Sequence, residues 1–405
     1  MFFALGLANS GDSAEMGCTG SILASSKFQH DILQGNSNTE EADFARRGAA
    51  IAGAHLAGML ISGLLAGVLA DVWGRRSTLL LGLACNSLVG VASSMSGNAT
   101  ELFFLRFACG LGVGLVISGV VTLSAEISPP SKRGRFMSIV ASCYTLGYLY
   151  ISFWALVIFR ATGSGNWRLF MLVNALPTML AFTLALLHVP ESPRFFLTKG
   201  ELKEAAHVTN SIASKIGYVD NNFTEQELRR YLFQAKAMGR ASRIGKEALQ
   251  HNEEEGRRNV SFPRECLTKL LSMHEVYQNG LYKYTVPLQC AYVCLTLVTG
   301  VGVWWTKIFQ ALNLTIDPFA MSFYHTLAQI PGIAIATYLI DKIGRRRLVT
   351  IGCSGMCATL FLLSRIAKNH NSHESTTSKS MVILALANLN TIGLALGWLG
   401  CKSVM

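Results

Sequence analysis

Asp12 and Glu15 stand three residues apart inside an otherwise apolar block at the start of the chain. That spacing puts both carboxylates on one face of a helix. A charge at the centre of a membrane helix costs at least ~2.5 to 3.5 kcal/mol, so acidic groups there are candidate binding groups. Together they could hold a cation or share one proton. The plainer alternative is a shallow position near an interface. Arg106 is the basic residue of another apolar block, on a line with Gly110, Gly114 and Ser118, along which a neighbouring helix can approach closely. Its alternative is an arginine snorkelling to the membrane surface. His55 and His325 are lone histidines in apolar surroundings; proton relay is one use, and a satisfied core histidine is the commoner one. Gln289, Tyr292, Asn388 and Asn390 are polar side chains of later apolar blocks that could face a central cavity.

The elements that must carry these residues follow from composition. Of 405 residues, 51% are apolar and 15% charged, against about 25% charged in a soluble domain. The apolar residues run in blocks of roughly 18 to 25, the length that crosses a bilayer as helix. Ten blocks are expected to do so, near 2–24, 48–70, 77–95, 102–125, 137–159, 169–188, 284–306, 319–340, 347–366 and 381–401. Phe2 to Leu7 is too short for a secretory signal, so the first block is read as a membrane helix. The net charge of +11 falls between the blocks, clustered at helix ends as in Arg75-Arg76 and Arg345-Arg346-Arg347. That is the pattern of inner loops, and without an aromatic platform it excludes a nucleic-acid partner. Most of the ten cysteines lie inside apolar blocks and are read as core side chains; no Cys/His spacing fits a metal, and no cofactor is expected. The stretch from Arg194 to Lys283 mixes both signs, and Thr198-Lys-Gly-Glu201 and Thr224-Glu-Gln-Glu227 each fit a helix-capping box.

One loop occurs twice. Gly67-Val-Leu-Ala-Asp71-Val-Trp-Gly74-Arg75-Arg76 follows the second block, and Thr337-Tyr-Leu-Ile-Asp341-Lys-Ile-Gly344-Arg345-Arg346 follows the eighth. Asp71 and Asp341 are separated by the same interval as Gly74 and Gly344. Two halves with one loop at the same place imply an internal duplication, with parallel halves related across the membrane normal. Glycine permits the tight turn, Asp can accept from free amides, and paired arginines hold the turn among headgroups or bind carboxylates.

At these residues the chain resembles the major facilitator superfamily, whose loop reads G-x-L-A-D-x-x-G-R-R. Arg106-Phe-Ala-Cys-Gly110-Leu-Gly-Val-Gly114 is similar to the fourth-helix motif, and Glu126, Pro130, Arg133 and Gly134 to the loop after it, with Pro130 one place late. Pro190-Glu-Ser-Pro-Arg194 matches the signature of sugar porters, organic ion transporters and synaptic-vesicle-2-related proteins, and Asp12-Ser-Ala-Glu15-Met16 resembles the first helix of the last group.

The resemblance implies an all-α membrane protein of the major facilitator fold with two six-helix halves. Residues 1–190 would form the first half, 191–283 a cytoplasmic central loop, and 284–405 four helices of the second half. The family has twelve helices, so the last two are expected to be missing, as in a fragment, a splice form or a degenerate relative. The implied activity is alternating-access transport of a small organic solute, an organic ion first and a sugar next, with protons as a further partner. The alternative is a non-transporting scaffold or sorting protein. Asp12, Glu15, Arg106, Gln289, Asn388 and Asn390 are the expected substrate or proton groups. Asp71, Gly74, Arg75, Arg76, Glu126, Arg133, Asp341, Gly344, Arg345 and Arg346 are the expected cytoplasmic gate, built of ion pairs between helices. No enzyme motif is present, and the implied location is the plasma membrane or an intracellular vesicle membrane.

Overall fold

A computed structural model of the chain describes residues 1–34, 41–129, 133–161, 165–216, 224–230, 304–312, 315–368 and 377–402, with single positions 282, 283, 286 and 289. Among the described residues there are helices and turns and no strand. The long helices of the first part are α1 (Phe2–Ala24), α2 (Glu41–Trp73), α3 (Arg75–Ser94), α4 (Ala99–Ile127), α5 (Arg133–Ala155) and α6 (Trp167–His188). A wider π-helical turn, Leu156–Ala161, extends α5. Two shorter helices follow, α7 (Pro193–Thr198) and α8 (Leu202–Ile216). The second part holds α9 (Trp305–Ala311), α10 (Pro318–Leu327), α11 (Gln329–Ile343), α12 (Arg345–Lys368) and α13 (Thr377–Lys402).

Six of the described helices are long and apolar enough to cross a membrane: Ala45–Trp73, Arg75–Ser94, Ala99–Ile127, Phe136–Arg160, Trp167–His188 and Arg347–Ile366. α1 is continuous over 23 residues with two carboxylates within it, and α13 contributes a shorter apolar stretch, Ser380–Leu396. Most of the helix expected over 284–306 lies outside the described residues. With the arginine-rich turns taken as the inner side, α5 rises from the inner surface and α10 descends from the outer one.

Local sequence sets the helix starts. Asn98, Asn166 and Asp317 each accept from the amide three residues on, at 2.9, 3.3 and 3.0 Å. Ser192 and Asp317 are each followed by proline, whose missing amide costs nothing in a first turn. Proline also explains a departure from expectation. The single helix foreseen over 319–340 is divided at Ala328, because Pro331 cannot donate to Leu327 and its ring crowds that carbonyl.

A second correction concerns Thr198, which does not cap a helix start. It lies in the last turn of α7, donating to the Phe195 carbonyl at 2.8 Å, and Gly200, at φ 78°, ends the helix. The box at Thr224 does form: the Thr224 amide donates to Glu227 Oε2 at 2.8 Å, and the Glu227 amide to Thr224 Oγ1 at 3.3 Å.

The first-part helices pack around two apolar clusters. The outer one contains Ile22, Phe28, Ile151, Trp167 and Phe170; the inner one contains Leu5, Leu79, Leu83, Val116, Leu123 and Ala181. Glycines let α2 and α4 touch. A side chain on Gly58 would meet the Phe107 carbonyl, and one on Gly110 the His55 carbonyl. The predicted small-residue line through Gly110 and Gly114 is therefore the face turned to α2. In the second part, Trp305, Phe309, Met321, Ile383 and Ala387 form a separate core.

Candidate functional site

Three polar assemblies stand out. The first lies inside the α1, α3, α4 and α6 bundle. Arg106 donates to Glu15 Oε1 and Asn174 Nδ2 to Glu15 Oε2, with Glu15 and Arg106 each 1% exposed. One turn away, Asn86 Nδ2 donates to Asp12 Oδ1 at 3.3 Å, and Cys109 Sγ to Asn86 Oδ1 at 3.1 Å. The spacing of Asp12 and Glu15 does put them on one side of α1, but that side faces the interior of the bundle. Neither is shallow, and Arg106 does not snorkel. The structure thus joins groups that the sequence offered separately. His55 is buried on α2, where its carbonyl faces Gly110.

The second assembly is the inner turn between α2 and α3. Gly74 occupies the cap position of α3 at φ 102° and offers no side chain to the free amides. Glu191, from the segment before α7, takes that role: its Oε1 accepts from the amides of Arg75 at 2.9 Å and Arg76 at 3.0 Å. Arg75 pairs with Asp71 at 2.8 Å and reaches Glu126 at 3.5 Å. Ser192 also donates to Glu126, and Arg76 donates to the Leu186 carbonyl at 2.8 Å. Arg133 stands exposed at the start of α5, and no described residue of this network pairs with it.

Among the described residues, every partner in this network belongs to the first part of the chain. The matching turn has Gly344 at φ 85°, so both copies share one backbone shape. The side chains of Asp341, Arg345 and Arg346 lie outside the described residues. Glu191 and Ser192 were missing from the expected gate, although the proline-flanked signature that holds them was visible in the sequence.

The third assembly is a cavity between the two parts. α1 and α5 supply Ser21, Tyr144, Thr145, Tyr148 and Ser152; α9, α10, α11 and α13 supply Trp305, Thr306, Ser322, His325, Thr326, Gln329 and Thr391. No acidic, lysine or arginine side chain lines it among the described residues. Its hydroxyls are linked: Ser152 and Thr326 lie 3.1 Å apart across the two parts, and Thr306 and Ser322 2.9 Å apart. Beyond these contacts, on the outer side, Phe153 meets Phe323 at a centroid distance of 6.3 Å, and Phe159 stacks on Phe319 at 5.0 Å. Among the described residues, these aromatic pairs join the two parts on the outer side of the cavity.

Among the expected binding residues, Asp12, Glu15, Arg106, Asn388 and Asn390 do not line this cavity. Asn390 accepts from Thr359 at 3.1 Å and so turns toward α12, and Asn388 borders a separate shallow groove with Tyr324 and Pro331. Gln289 is exposed. The cavity residues carried a signal that went unused: Tyr144, Tyr148 and Ser152 recur every four positions in an apolar helix, as do Ser322 and Thr326.

A helical membrane bundle in two parts, with one turn repeated in sequence and backbone and a cavity between the parts, is a major facilitator fold. The chain belongs to the sugar (and other) transporter family, whose profile matches residues 14–405. It is a multi-pass membrane protein of a transporter family, not an enzyme. It is 26% identical over 323 residues to probable polyol transporter 6 of Arabidopsis thaliana, covering 75% of this chain and 59% of that protein. It is 32% identical over 222 residues to synaptic vesicle glycoprotein 2A of Homo sapiens, covering 52% of this chain and 28% of that protein. The chain thus spans less than two thirds of the length of either relative. Among solved structures, the proton:xylose symporter XylE bound to 6-bromo-6-deoxy-D-glucose superposes with a TM-score of 0.73 at 19% identity, over 100% of this chain and 81% of that one.

Proposed function

We propose that the protein carries a small neutral polar solute, a sugar or polyol, across its membrane by alternating access. The observation that carries this reading is the cavity wall, which offers hydroxyl, amide, imidazole and aromatic groups and no formal charge among the described residues. An organic ion would leave water for that wall without a counter-charge, an unfavourable transfer. A polyol exchanges its water hydrogen bonds for those of serine, threonine and glutamine. The preference for an organic ion therefore gives way to the neutral class, in keeping with the polyol and xylose transporters among the relatives.

In this reading residues 1–190 and 284–405 are the moving bodies and 191–283 the connector. In the same reading the outer aromatic contacts close the outer mouth, which makes this an inward-facing state. The Asp71–Arg75–Glu126–Glu191 network braces the inner turn of the first body, and breaking it shifts the balance between the two packings. Glu15 and Arg106, sealed from the cavity, are the candidate proton-coupled pair.

The test is uptake into vesicles reconstituted with the purified protein, comparing xylose and myo-inositol with tetraethylammonium and an organic anion, with and without an imposed pH gradient. Saturable uptake of a neutral solute is expected. Uptake of the ions alone would overturn the neutral class, and uptake of none would favour a non-transporting scaffold. A rate indifferent to the gradient would remove the proton.

A further inference from the structure

Beside the Glu15–Arg106 pair lies a buried imidazole whose hydrogen-bonding capacity is unused. His55, on α2, is 3% exposed. Glycine contacts fix the register of α2 on α4: Gly58 packs on the Phe107 carbonyl, Gly110 on that of His55, and Gly114 on Met59 and Ser62. His55 therefore stands near the level of Arg106, which lies one turn before Gly110 on the same face of α4. Among the described residues, the charged side chains that act on the ring are Glu15 of α1 and Arg106 of α4. The thiols of Cys18 and Cys109 adjoin the same pair. The ring approaches the Arg106 backbone carbonyl, yet neither of its nitrogens completes a hydrogen bond.

A neutral imidazole carries one N–H donor and one acceptor nitrogen. The Arg106 carbonyl can take the N–H, and the acceptor is then left without a donor, which is unfavourable in a buried place. Arg106 has the complementary surplus: its Nη1 serves Glu15, while its buried Nε–H has no partner. An unused donor and an unused acceptor thus share one region between α1, α2 and α4. A side chain that only filled space there would be apolar.

We propose that His55 is the second partner of Arg106, accepting a hydrogen bond from the guanidinium when Glu15 takes up a proton, which makes it a positioning residue of the proton-coupled pair. This rests on the proton-coupled reading of Glu15 and Arg106 above. A proton from water adds to a Glu15 carboxylate oxygen, forming an O–H bond and cancelling the charge that held Arg106. The guanidinium keeps all its protons and turns an N–H onto the open nitrogen of His55, which stays neutral. Asn174 Oδ1, also buried without a partner, can accept from the new O–H once its amide rotates. Arg106 then has an acceptor in both states of Glu15, and the imidazole offsets part of the cost of leaving a buried cation unpaired.

The experiment follows the proton on Glu15 directly, through the infrared C=O stretch of its protonated carboxyl in a pH titration of the purified protein in lipid bilayers. Glu15→Gln identifies the band. The wild type is compared with His55→Gln and His55→Leu. Without an acceptor for Arg106 the protonated state of Glu15 is less favourable, so in His55→Leu the band should appear about one pH unit lower, a tenfold weaker proton affinity. His55→Gln, whose Oε1 can still accept, should stay close to the wild type. His55→Met replaces the leucine variant if that one does not fold.

An unmoved midpoint in the apolar variant would overturn the role of His55. A midpoint moved to higher pH would do so too, because it would reveal a protonated imidazole repelling Arg106. Equal acid shifts in the glutamine and apolar variants would reduce His55 to a packing residue. A wild type that shows no Glu15 band at any pH at which it stays folded would instead be the failure of the proton-coupled reading itself.

Discussion

Glu15 and Arg106 hold opposite charges in the middle of a helical bundle, where each is tolerable only because of the other. Removing one partner strands a buried charge, which typically costs about 3 to 5 kcal/mol. Glu15→Gln should accordingly lower the thermal-unfolding midpoint in detergent strongly, and Arg106→Gln on that background should recover most of the loss. If the double variant is no more stable than the single one, the pair is not the mutual support described above. A milder electrostatic effect operates at Glu227, where the Thr224 amide and hydroxyl donate to the carboxylate and hold its pKa below the ordinary range. A depressed folded pKa means that the capping contribution is complete above the unfolded value of ~4.3 and is lost as pH falls through the lower folded one. A carboxyl titration followed by NMR should place Glu227 below its unfolded value, and Thr224→Ala should bring it back up.

At the scale of elements, the two copies of the duplicated turn share a left-handed glycine but differ in what surrounds it. Among the described residues a methyl at Gly344 meets nothing within 4 Å, so for Gly344→Ala the backbone term of about 1 to 3 kcal/mol dominates. A methyl at Gly74 also runs into the Glu191 carboxylate and displaces the group that caps α3. Gly74→Ala should therefore be the more damaging, and Glu191→Ala alone should cost about 1 kcal/mol, as loss of a helix cap does. Denaturation midpoints of the three variants give the ranking; equal effects at the two glycines would contradict it. The division of α10 from α11 belongs to the same scale. Pro331→Ala restores the missing donor, and hydrogen exchange should report slower amides around Ala328 as the two segments join.

Across the whole molecule, the two parts meet on the outer side through Ser152 with Thr326, Phe153 with Phe323 and Phe159 with Phe319. If these contacts define the outward-closed state, cysteines at positions 152 and 326, on a background cleared of native cysteines, should be joined by a short bifunctional thiol reagent. Uptake should stop on linking and return with a cleavable linker after reduction. Linking that leaves uptake intact would mean that the two parts do not separate here. Replacing Phe159 with alanine should weaken the same closure, read as faster labelling of a cavity cysteine by an impermeant reagent from the outer side.

Apolar runs of bilayer length, arginines at helix ends and one loop written twice were enough to determine the class of fold, because a membrane constrains composition and a duplication is visible as spacing. The inner turn was legible for the same reason, down to the glycine that its left-handed backbone requires. Which polar groups face one another was not. The partners of Asp12 and Glu15 came into view only when α3, α4 and α6 placed Asn86, Arg106 and Asn174 against them, and the stripes on α5 and α10 acquired meaning only when the two parts enclosed a common space. Helical periodicity gives the face a residue occupies, but whether that face meets another helix, lipid or a cavity depends on contacts between segments far apart in the chain. That long-range packing buried Asp12, Glu15 and Arg106 among the helices of the first part and left neutral hydroxyls and His325 to line the cavity.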